Sequence, residues 1–159
     1  MANYRPNVAA LVTNYKGRLL VCERIDSQGA WQFPQGGVDE GEELETALKR
    51  EVEEEIGVRA KHYKILSSRG GYRYEYGSGP KVKKGVSYEG QEQTYYLCQL
   101  EKGAPDPDVE QPGQEFANWK WIEPEDFQLD WLPEFRVAVY RQVLRDFFGV
   151  ELCEKASLG

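Results

Sequence analysis

The chain has 159 residues, of which 27 are acidic and 20 are basic, so its formal net charge is −7. This length suits a single domain, because two folded domains would each have too small a core. The acidic balance argues against a broad basic face that grips duplex DNA through many phosphates, but it leaves room for a small basic pocket.

Cysteine and histidine usage narrows the possible chemistry. The chain has three widely spaced cysteines, Cys22, Cys98 and Cys153, and one histidine, His62. A zinc site built from Cys and His is therefore excluded, and a Ser-His-Asp or Cys-His apparatus is not expected. The thiols are expected to be reduced and partly buried, which predicts a cytoplasmic protein. With no signal-peptide pattern and no long apolar run, no membrane contact is expected.

Hydrophobic patterns and turn residues predict strands separated by two helices. The expected strands and extended pieces cover 8–13, 18–22, 31–34, 64–68, 72–76, 94–100 and 118–122. Gly70-Gly71 is expected to form a break or bulge, and 78–89 a mobile loop or loose hairpin. The segments 102–114 and 124–132 are expected to be irregular, and 154–159 frayed. The helices are expected over 42–56 and 133–148, which gives an α/β domain with a mixed sheet and helices on its faces.

Three glutamates of the first helix lie on or near its apolar side. The apolar stripe recurs every fourth residue at Leu44, Leu48, Val52 and Ile56. At about 100° per residue, Glu55 falls inside this stripe, Glu51 at its edge and Glu54 close by. An ordinary solvated acidic face, with Arg50 pairing with Glu54 at i+4, would account for one of these carboxylates but not for all three.

Such a cluster requires a compensating cation. Like charges at i, i+3 and i+4 raise one another's pKa, and the helix dipole disfavours them at the C-terminal end. Carboxylate oxygens suit Mg²⁺ or Mn²⁺, so the sequence predicts a divalent metal site. Gly36-Gly37 just before the helix permits close backbone approach, and its amides are candidates for phosphate binding.

From Gly36 to Val58 the chain resembles the Nudix box at every specified position. These are Gly36, Glu42, Arg50-Glu51, the aliphatic Val52, Glu54-Glu55, Gly57 and the aliphatic Val58. The flanking segments 4–8, 31–37, 90–97, 115–121 and 135–141 are similar to the bacterial RNA pyrophosphohydrolases, a group that includes dinucleoside polyphosphate hydrolases. The resemblance covers about 4–148, and the departures lie in 70–89, which is rich in Gly and Lys.

The resemblance implies an α/β/α sandwich with a mixed β-sheet, with one Nudix domain over 1–150 and a tail over 151–159. It also implies a set of metal ligands and catalytic carboxylates. The expected ligands are the Gly36 carbonyl, Glu51, Glu54, Glu55 and Glu115, with Glu54 as ligand or general base and Glu51 and Glu115 also catalytic. The box residues expected to have structural roles are Gly36, Gly37, Glu42, Arg50 and Gly57.

Substrate contacts are expected from basic and aromatic residues. Arg5, Arg24 and Arg136 match basic positions that the family uses near the triphosphate, although surface salt bridges are the alternative for each. Lys83, in the basic run 81–84, is expected to contact an RNA backbone, with a solvated loop as the alternative. Tyr74 is the preferred residue for stacking on a base, although strand aromatics are usually core.

The leading functional interpretation is Mg²⁺-dependent removal of pyrophosphate from 5′-triphosphate RNA ends, leaving a 5′-monophosphate. The close alternative is cleavage of diadenosine tetraphosphate to ATP and AMP. A non-catalytic Nudix domain that binds RNA or nucleotide, and a hydrolase of damaged nucleoside triphosphates, are weaker alternatives. The protein is expected to be a monomer or a weak oligomer.

Overall fold

The computed structural model describes residues 3–152. They form nine strands and two α-helices, with short 3₁₀ turns between them. The strands are β1 (Tyr4–Thr13), β2 (Leu19–Arg24), β3 (Trp31–Gln32), β4 (Gln35–Gly37), β5 (Tyr63–Glu75), β6 (Lys81–Lys83), β7 (Val86–Tyr88), β8 (Gly90–Leu100) and β9 (Phe116–Ile122). The helices are α1 (Leu44–Ile56) and α2 (Glu134–Phe148).

Seven of the strands form one mixed sheet. Its order is β3-β2-β1-β8-β5, with β4 also pairing with β1 and β9 with β2. β1 runs parallel to β8, and the other pairs are antiparallel. The predicted mixed sheet is therefore confirmed, and β6 and β7 form a separate hairpin.

Two hydrophobic cores lie on opposite faces of the sheet. Val8, Ala10 and Val12 of β1 pack in the core that contains α1, whereas Ala9 and Leu11 pack in the core that contains α2. Alternate side chains of a strand point to opposite faces, so one buried strand supplies both cores. This arrangement is the predicted α/β/α sandwich.

The ends of the predicted elements shift in several places. α1 begins at Leu44 rather than at residue 42, and Leu44 itself is 39% exposed, outside the core. β1 begins four residues early, because its parallel pairing with β8 continues down to Tyr4 opposite Gly90. The strands predicted over 64–68 and 72–76 are one strand, β5, with a register shift near Gly71, whose φ is +86°. The predicted bulge is thereby confirmed.

Several local predictions hold. Gly57 ends α1 in the left-handed conformation, with its N–H bonded to the Glu53 carbonyl. The segment predicted as a loop or loose hairpin is the β6–β7 hairpin. Cys22 and Cys98 are buried and free, whereas Cys153 and the tail predicted to fray lie outside the described residues. Within residues 3–152, no helix combines the length and apolarity needed to cross a membrane.

Strand β4 positions the candidate site. It pairs with the middle of β1, with Gly36 opposite Val8 and Gly37 opposite Asn7. This pairing brings the Gly36-Gly37 backbone alongside α1, where the glutamates lie.

Candidate metal and phosphate site

Arg50 is the hub of the charged network on α1. Its Nε and Nη2 donate to the Glu42 carboxylate at 2.9 Å each, and Nη2 also donates to the Gly37 carbonyl at 3.0 Å. Nη1 donates to Glu51 at 2.8 Å and to Glu54 at 3.3 Å. The pairing predicted with Glu54 is present, but the strongest attachment is to Glu42, whose pKa it lowers to about 2. Arg50 and Glu42 therefore fasten the loop after β4 to the helix.

Glu55 is the most deeply placed of the carboxylates. It is 5% exposed, as its position inside the apolar stripe predicts. Its Oε2 accepts a hydrogen bond from the Gln35 backbone N–H at 3.0 Å, while Oε1 is buried without a hydrogen-bond partner among the described residues. Burial raises the pKa of this carboxyl well above its usual range, and nearby Glu115 adds to the effect. A buried oxygen without a partner is costly unless a cation or proton satisfies it.

Glu51 lies directly over Gly36. A Cβ on Gly36 would overlap the Glu51 carboxylate, so only glycine permits this approach. Burial raises the pKa of Glu51 to about 7, although Arg50 acts in the opposite direction. Gly36 thus has the structural role predicted for it, and its backbone lies next to a candidate ligand.

The carboxylates line one cleft. Its volume is about 550 Å³, and its acidic lining is Glu51, Glu53, Glu54, Glu55 and Glu115. Glu115 is sixty residues from Glu55 in sequence, yet β9 pairs with β2, and the Glu115 carbonyl accepts from the Ile25 N–H at 2.9 Å. The structure therefore brings together all four predicted carboxylate ligands.

This donor set fits a hard divalent cation. Its oxygens are carboxylates, and one of them is buried without a partner. In the conformation described, Arg50 occupies oxygens of Glu51 and Glu54. Across residues 3–152, no three acidic, His or Cys side chains already stand together at ion-binding distances.

Two of the predicted phosphate-binding arginines meet at Gln32. The Gln32 Oε1 accepts from Arg136 Nη1 at 3.0 Å and from Arg24 Nη1 at 3.4 Å. Arg24 also forms two 2.8 Å bonds to Asp26, and Arg136 Nε is buried without a partner among the described residues. A cleft of about 400 Å³ lined by Arg24 and Gln32 shares Glu115 with the carboxylate cleft. Arg24 therefore adjoins the carboxylates, and Arg136 is linked to it through Gln32.

Sequence reasoning missed Gln32 and Gln35. Gln32 is 5% exposed between two aromatic residues, Trp31 and Phe33. A polar side chain flanked by aromatic residues in an extended segment was the available signal, because a buried amide needs partners. Gln35 acts on Glu55 through its backbone N–H, which no side-chain pattern reveals.

The other residues predicted to contact substrate lie away from the arginine pair or in the core. Arg5 and Lys83 lie in a different groove from Arg24 and Arg136. Tyr74 is buried, its ring packs against Phe135 at 5.5 Å between centroids, and its hydroxyl donates to Gln91. The base-stacking role predicted for Tyr74 does not fit this placement, because the ring belongs to the α2 core.

Family comparison agrees with the architecture and the box. Residues 3–147 match the NUDIX domain family. The protein belongs to the Nudix family. The resemblance seen in the sequence is thereby confirmed, and Nudix hydrolases generally use divalent metal ions, which suits the carboxylate cleft.

Similarity to curated relatives indicates the subgroup of the Nudix family. The chain is 40% identical over 151 residues to the RNA pyrophosphohydrolase of Novosphingobium aromaticivorans, covering 91% of this chain and 92% of the relative. It is also 40% identical over 149 residues to the RNA pyrophosphohydrolase of Helicobacter pylori, covering 91% and 93%. The predicted subgroup and enzyme class are therefore confirmed.

Solved structures share the fold at lower identity. A C. elegans Ap4A hydrolase in a binary complex superposes with a TM-score of 0.62 at 20% identity, covering 91% of this chain and 98% of that one. The E. coli dihydroneopterin triphosphate pyrophosphohydrolase gives a TM-score of 0.61 at 17% identity, covering 91% and 97%. These similarities establish the Nudix fold.

Proposed function

We propose that this Nudix hydrolase removes pyrophosphate from 5′-triphosphate RNA ends, leaving a 5′-monophosphate. The observation that carries the proposal is the junction at Glu115 of a carboxylate cleft and an arginine pair. The first suits a divalent cation and the second a chain of phosphates. Relatives named RNA pyrophosphohydrolase, at 36–40% identity over about nine-tenths of this chain, support it.

Three carboxylates and one carbonyl would hold the metal, with Mg²⁺ as the proposed ion and Mn²⁺ as the alternative. They are Glu51, Glu55, Glu115 and the Gly36 carbonyl, with Glu54 as a further ligand only if it is not the general base. When bound, such ions neutralise phosphate charge and lower the pKa of a bound water. Arg50 keeps its two bonds to Glu42 when Nη1 leaves Glu51 and Glu54, so these carboxylates are released without loss of the helix anchor.

Glu54 is the proposed general base. Its side chain is 58% exposed, the most accessible of the three box glutamates, so it meets solvent water at the cleft mouth. It accepts the proton of the attacking water while an anhydride P–O bond breaks and pyrophosphate leaves. Arg24 and Arg136 hold the phosphates through their guanidinium groups, and Gln32 fixes their spacing.

The wider assignments follow from the same features. We infer one domain over residues 1–150 with a tail over 151–159, in a monomer or weak oligomer. The two free, buried cysteines support a cytoplasmic location, because disulfides are rare there.

A side-by-side turnover assay tests the proposal. One reaction contains Mg²⁺ and a short 5′-triphosphorylated RNA with an unpaired 5′ end, and the other contains Mg²⁺ and diadenosine tetraphosphate. The expected result is a much higher kcat/KM for the RNA. The reverse order would establish the dinucleoside polyphosphate alternative, and binding without turnover of either would support a non-catalytic domain.

A further inference from the structure

A second groove opens beside the carboxylate cleft. It lies between the start of β1, the 38–44 segment and the β6–β7 hairpin, with a volume of about 560 Å³. Its cations are Arg5, Lys83 and Lys84, and its apolar or aromatic walls are Val38, Leu44, Val86 and Tyr88. Cations beside an apolar wall match the two parts of a nucleotide, which are a phosphate and a base.

The groove is connected to the proposed active site through Gly37 and Arg50. The Arg5 guanidinium packs against Gly37, where a Cβ would overlap it. The Gly37 carbonyl accepts from Arg50 Nη2 at 3.0 Å, and Arg50 in turn holds Glu51. Glu42 lines the groove and is bonded to Arg50. The Arg50–Glu42 pair therefore lies between the carboxylate cleft and the groove.

The groove has three acidic residues, Asp39, Glu40 and Glu42, of which Asp39 and Glu42 are paired with cations and Glu40 is exposed. Glu42 is neutralised by its two bonds to Arg50. Asp39 lies 3.9 Å from Lys84 Nζ and 3.7 Å from Arg50 Nη2. The Asp39–Lys84 pair is exposed, and exposed pairs contribute little, so a polyanion displaces Asp39 from Lys84 at small cost.

The hairpin tip carries a lysine where local structure favours another residue. Lys84 has a φ of +50°, the single positive value at a non-glycine position within residues 3–152, and Gly85 follows at +78°. Two-residue hairpin turns of this kind favour Asn-Gly. A cation held there against the local preference indicates a use for the charge.

We propose that this groove binds the RNA chain beyond its 5′-terminal nucleotide. Arg5, Lys83 and Lys84 contact backbone phosphates, and a base lies against the wall formed by Tyr88 and Val86. This inference rests on the proposed function, because it takes RNA as the substrate. On a chain with a net charge of −7, these three cations supply a local attraction for the RNA backbone.

Binding of the reaction product tests the groove without metal or turnover. Fluorescence anisotropy measures the affinity for 5′-monophosphorylated RNAs of two and eight nucleotides in EDTA. The Lys83→Gln/Lys84→Asn variant removes the two charges, and Asn tolerates the positive φ of position 84. The control, Lys61→Gln/Lys64→Gln, makes the same charge change at exposed positions outside the groove.

The wild-type protein is expected to bind the eight-nucleotide RNA at least about tenfold more tightly than the dinucleotide. The groove variant is expected to lose most of this difference in affinity between the two RNAs. The control variant is expected to keep the difference within about twofold of the wild-type value. A plot of the logarithm of the binding constant against the logarithm of the salt concentration should become shallower. For a single strand, loss of two phosphate contacts reduces the magnitude of its slope by about 1.4, at about 0.7 per contact. Asp39→Asn, which frees Lys84, is expected to tighten binding instead.

Three outcomes would overturn the inference. The first is equal weakening in the groove variant and the control, and the second is the absence of a length effect in the wild-type protein. The third is a concentration-dependent dimer in sedimentation that the groove variant abolishes while RNA affinity stays unchanged, because a second copy then fills the groove. The proposed function is judged separately, by wild-type hydrolysis of triphosphorylated RNA.

Discussion

At the residue scale, the three box glutamates of α1 have different surroundings and therefore different chemistry. Glu55 is buried with an unpartnered oxygen, and Glu51 is half-buried over Gly36 with its pKa raised to about 7. Glu54 is mostly exposed and bonded only to Arg50 among the described residues. The buried pair suits a cation, and the exposed residue suits proton transfer to and from water.

Glu54→Gln is expected to lower kcat by about 10²- to 10⁴-fold, the range typical of losing a general base. The fold should remain intact, because removing one of several repelling charges relieves strain. Steady-state kinetics in Mg²⁺ and a thermal melt measure the two effects. Glu45→Gln, on the same helix, 57% exposed and outside the carboxylate cleft, is the matched control and should behave as wild type. Near wild-type turnover of Glu54→Gln with unchanged metal dependence would contradict the assignment.

Gln32→Leu removes the shared acceptor of Arg24 and Arg136. Without it the two guanidinium groups lose their fixed spacing, so KM for a triphosphorylated RNA is expected to rise about tenfold while kcat changes less. Stability should fall by about 1–3 kcal/mol, because the half-buried Arg136 guanidinium loses its hydrogen-bond acceptor. The control is Gln99→Leu, at an exposed position. A fall in kcat alone, with KM unchanged, would argue against the spacing role.

At the element scale, the short strand β4 connects the sheet to the metal site. Pairing with β1 fixes its backbone, and Gln35 and Gly36 then meet Glu55 and Glu51 of α1. Three residues therefore set the position of two carboxylates. A strand this short depends on its neighbours for its geometry, so its role is visible only in the assembled sheet.

Gly36→Ala tests this coupling between β4 and α1. The added methyl group would overlap the Glu51 carboxylate, so either the strand or the glutamate must move. Metal affinity measured by titration calorimetry is expected to fall at least about tenfold. Gly70→Ala is the control, because its methyl would meet only the Thr94 side chain, at 3.1 Å. Unchanged metal affinity in Gly36→Ala would remove Glu51 or Gly36 from the proposed site.

At the scale of the whole molecule, a sheet between two cores gathers residues from distant parts of the chain. Arg24 on β2 and Glu115 just before β9 border one cleft, and Arg136 on α2 is linked to that cleft through Gln32. The metal-free protein also holds several carboxylates in one cleft, so its stability should depend on pH through them.

The expected direction follows from the raised pKa values. Glu51, with a pKa of about 7 in the folded protein, binds a proton between about pH 4.5 and 7 that the unfolded chain releases, and Glu55 is shifted the same way. Stability without metal should therefore fall as pH rises through this window. Glu42 is shifted in the opposite direction, with its pKa lowered to about 2, so its effect lies below pH 4.5.

Thermal melts at pH 5.5 and 8 in EDTA measure this effect, with a higher Tm expected at pH 5.5. Mg²⁺ should raise the Tm more at pH 8, because the metal competes with protons for the same oxygens. The Glu51→Gln/Glu55→Gln variant should show a flatter dependence. A Tm that rises with pH in the metal-free wild type would contradict the proposed carboxylate protonation.

Local periodicity made much of the site predictable. Apolar residues recur at every fourth position of α1, which indicated that Glu55 faces inward. Gly57 marked the end of the helix. The spacing of the box residues identified the family. These residues lie on one loop and one helix, and the geometry of a helix is set by spacing along the chain. The order of strands and helices predicted an α/β domain with a mixed sheet, and the resemblance to the Nudix box implied the α/β/α sandwich.

The partners of individual side chains depend on the tertiary structure. Gln32 as the link between two arginines, Glu42 as the main anchor of Arg50, and the burial of Tyr74 all depend on contacts between elements far apart in sequence. The same holds for the separation of Arg5 from Arg24 and Arg136, which the family pattern groups together. The sequence by itself determined the family and the inward-facing Glu55, since both follow from short-range spacing. Only the tertiary structure decided which groups meet, because strand pairing and core packing bring together residues that have no local relation.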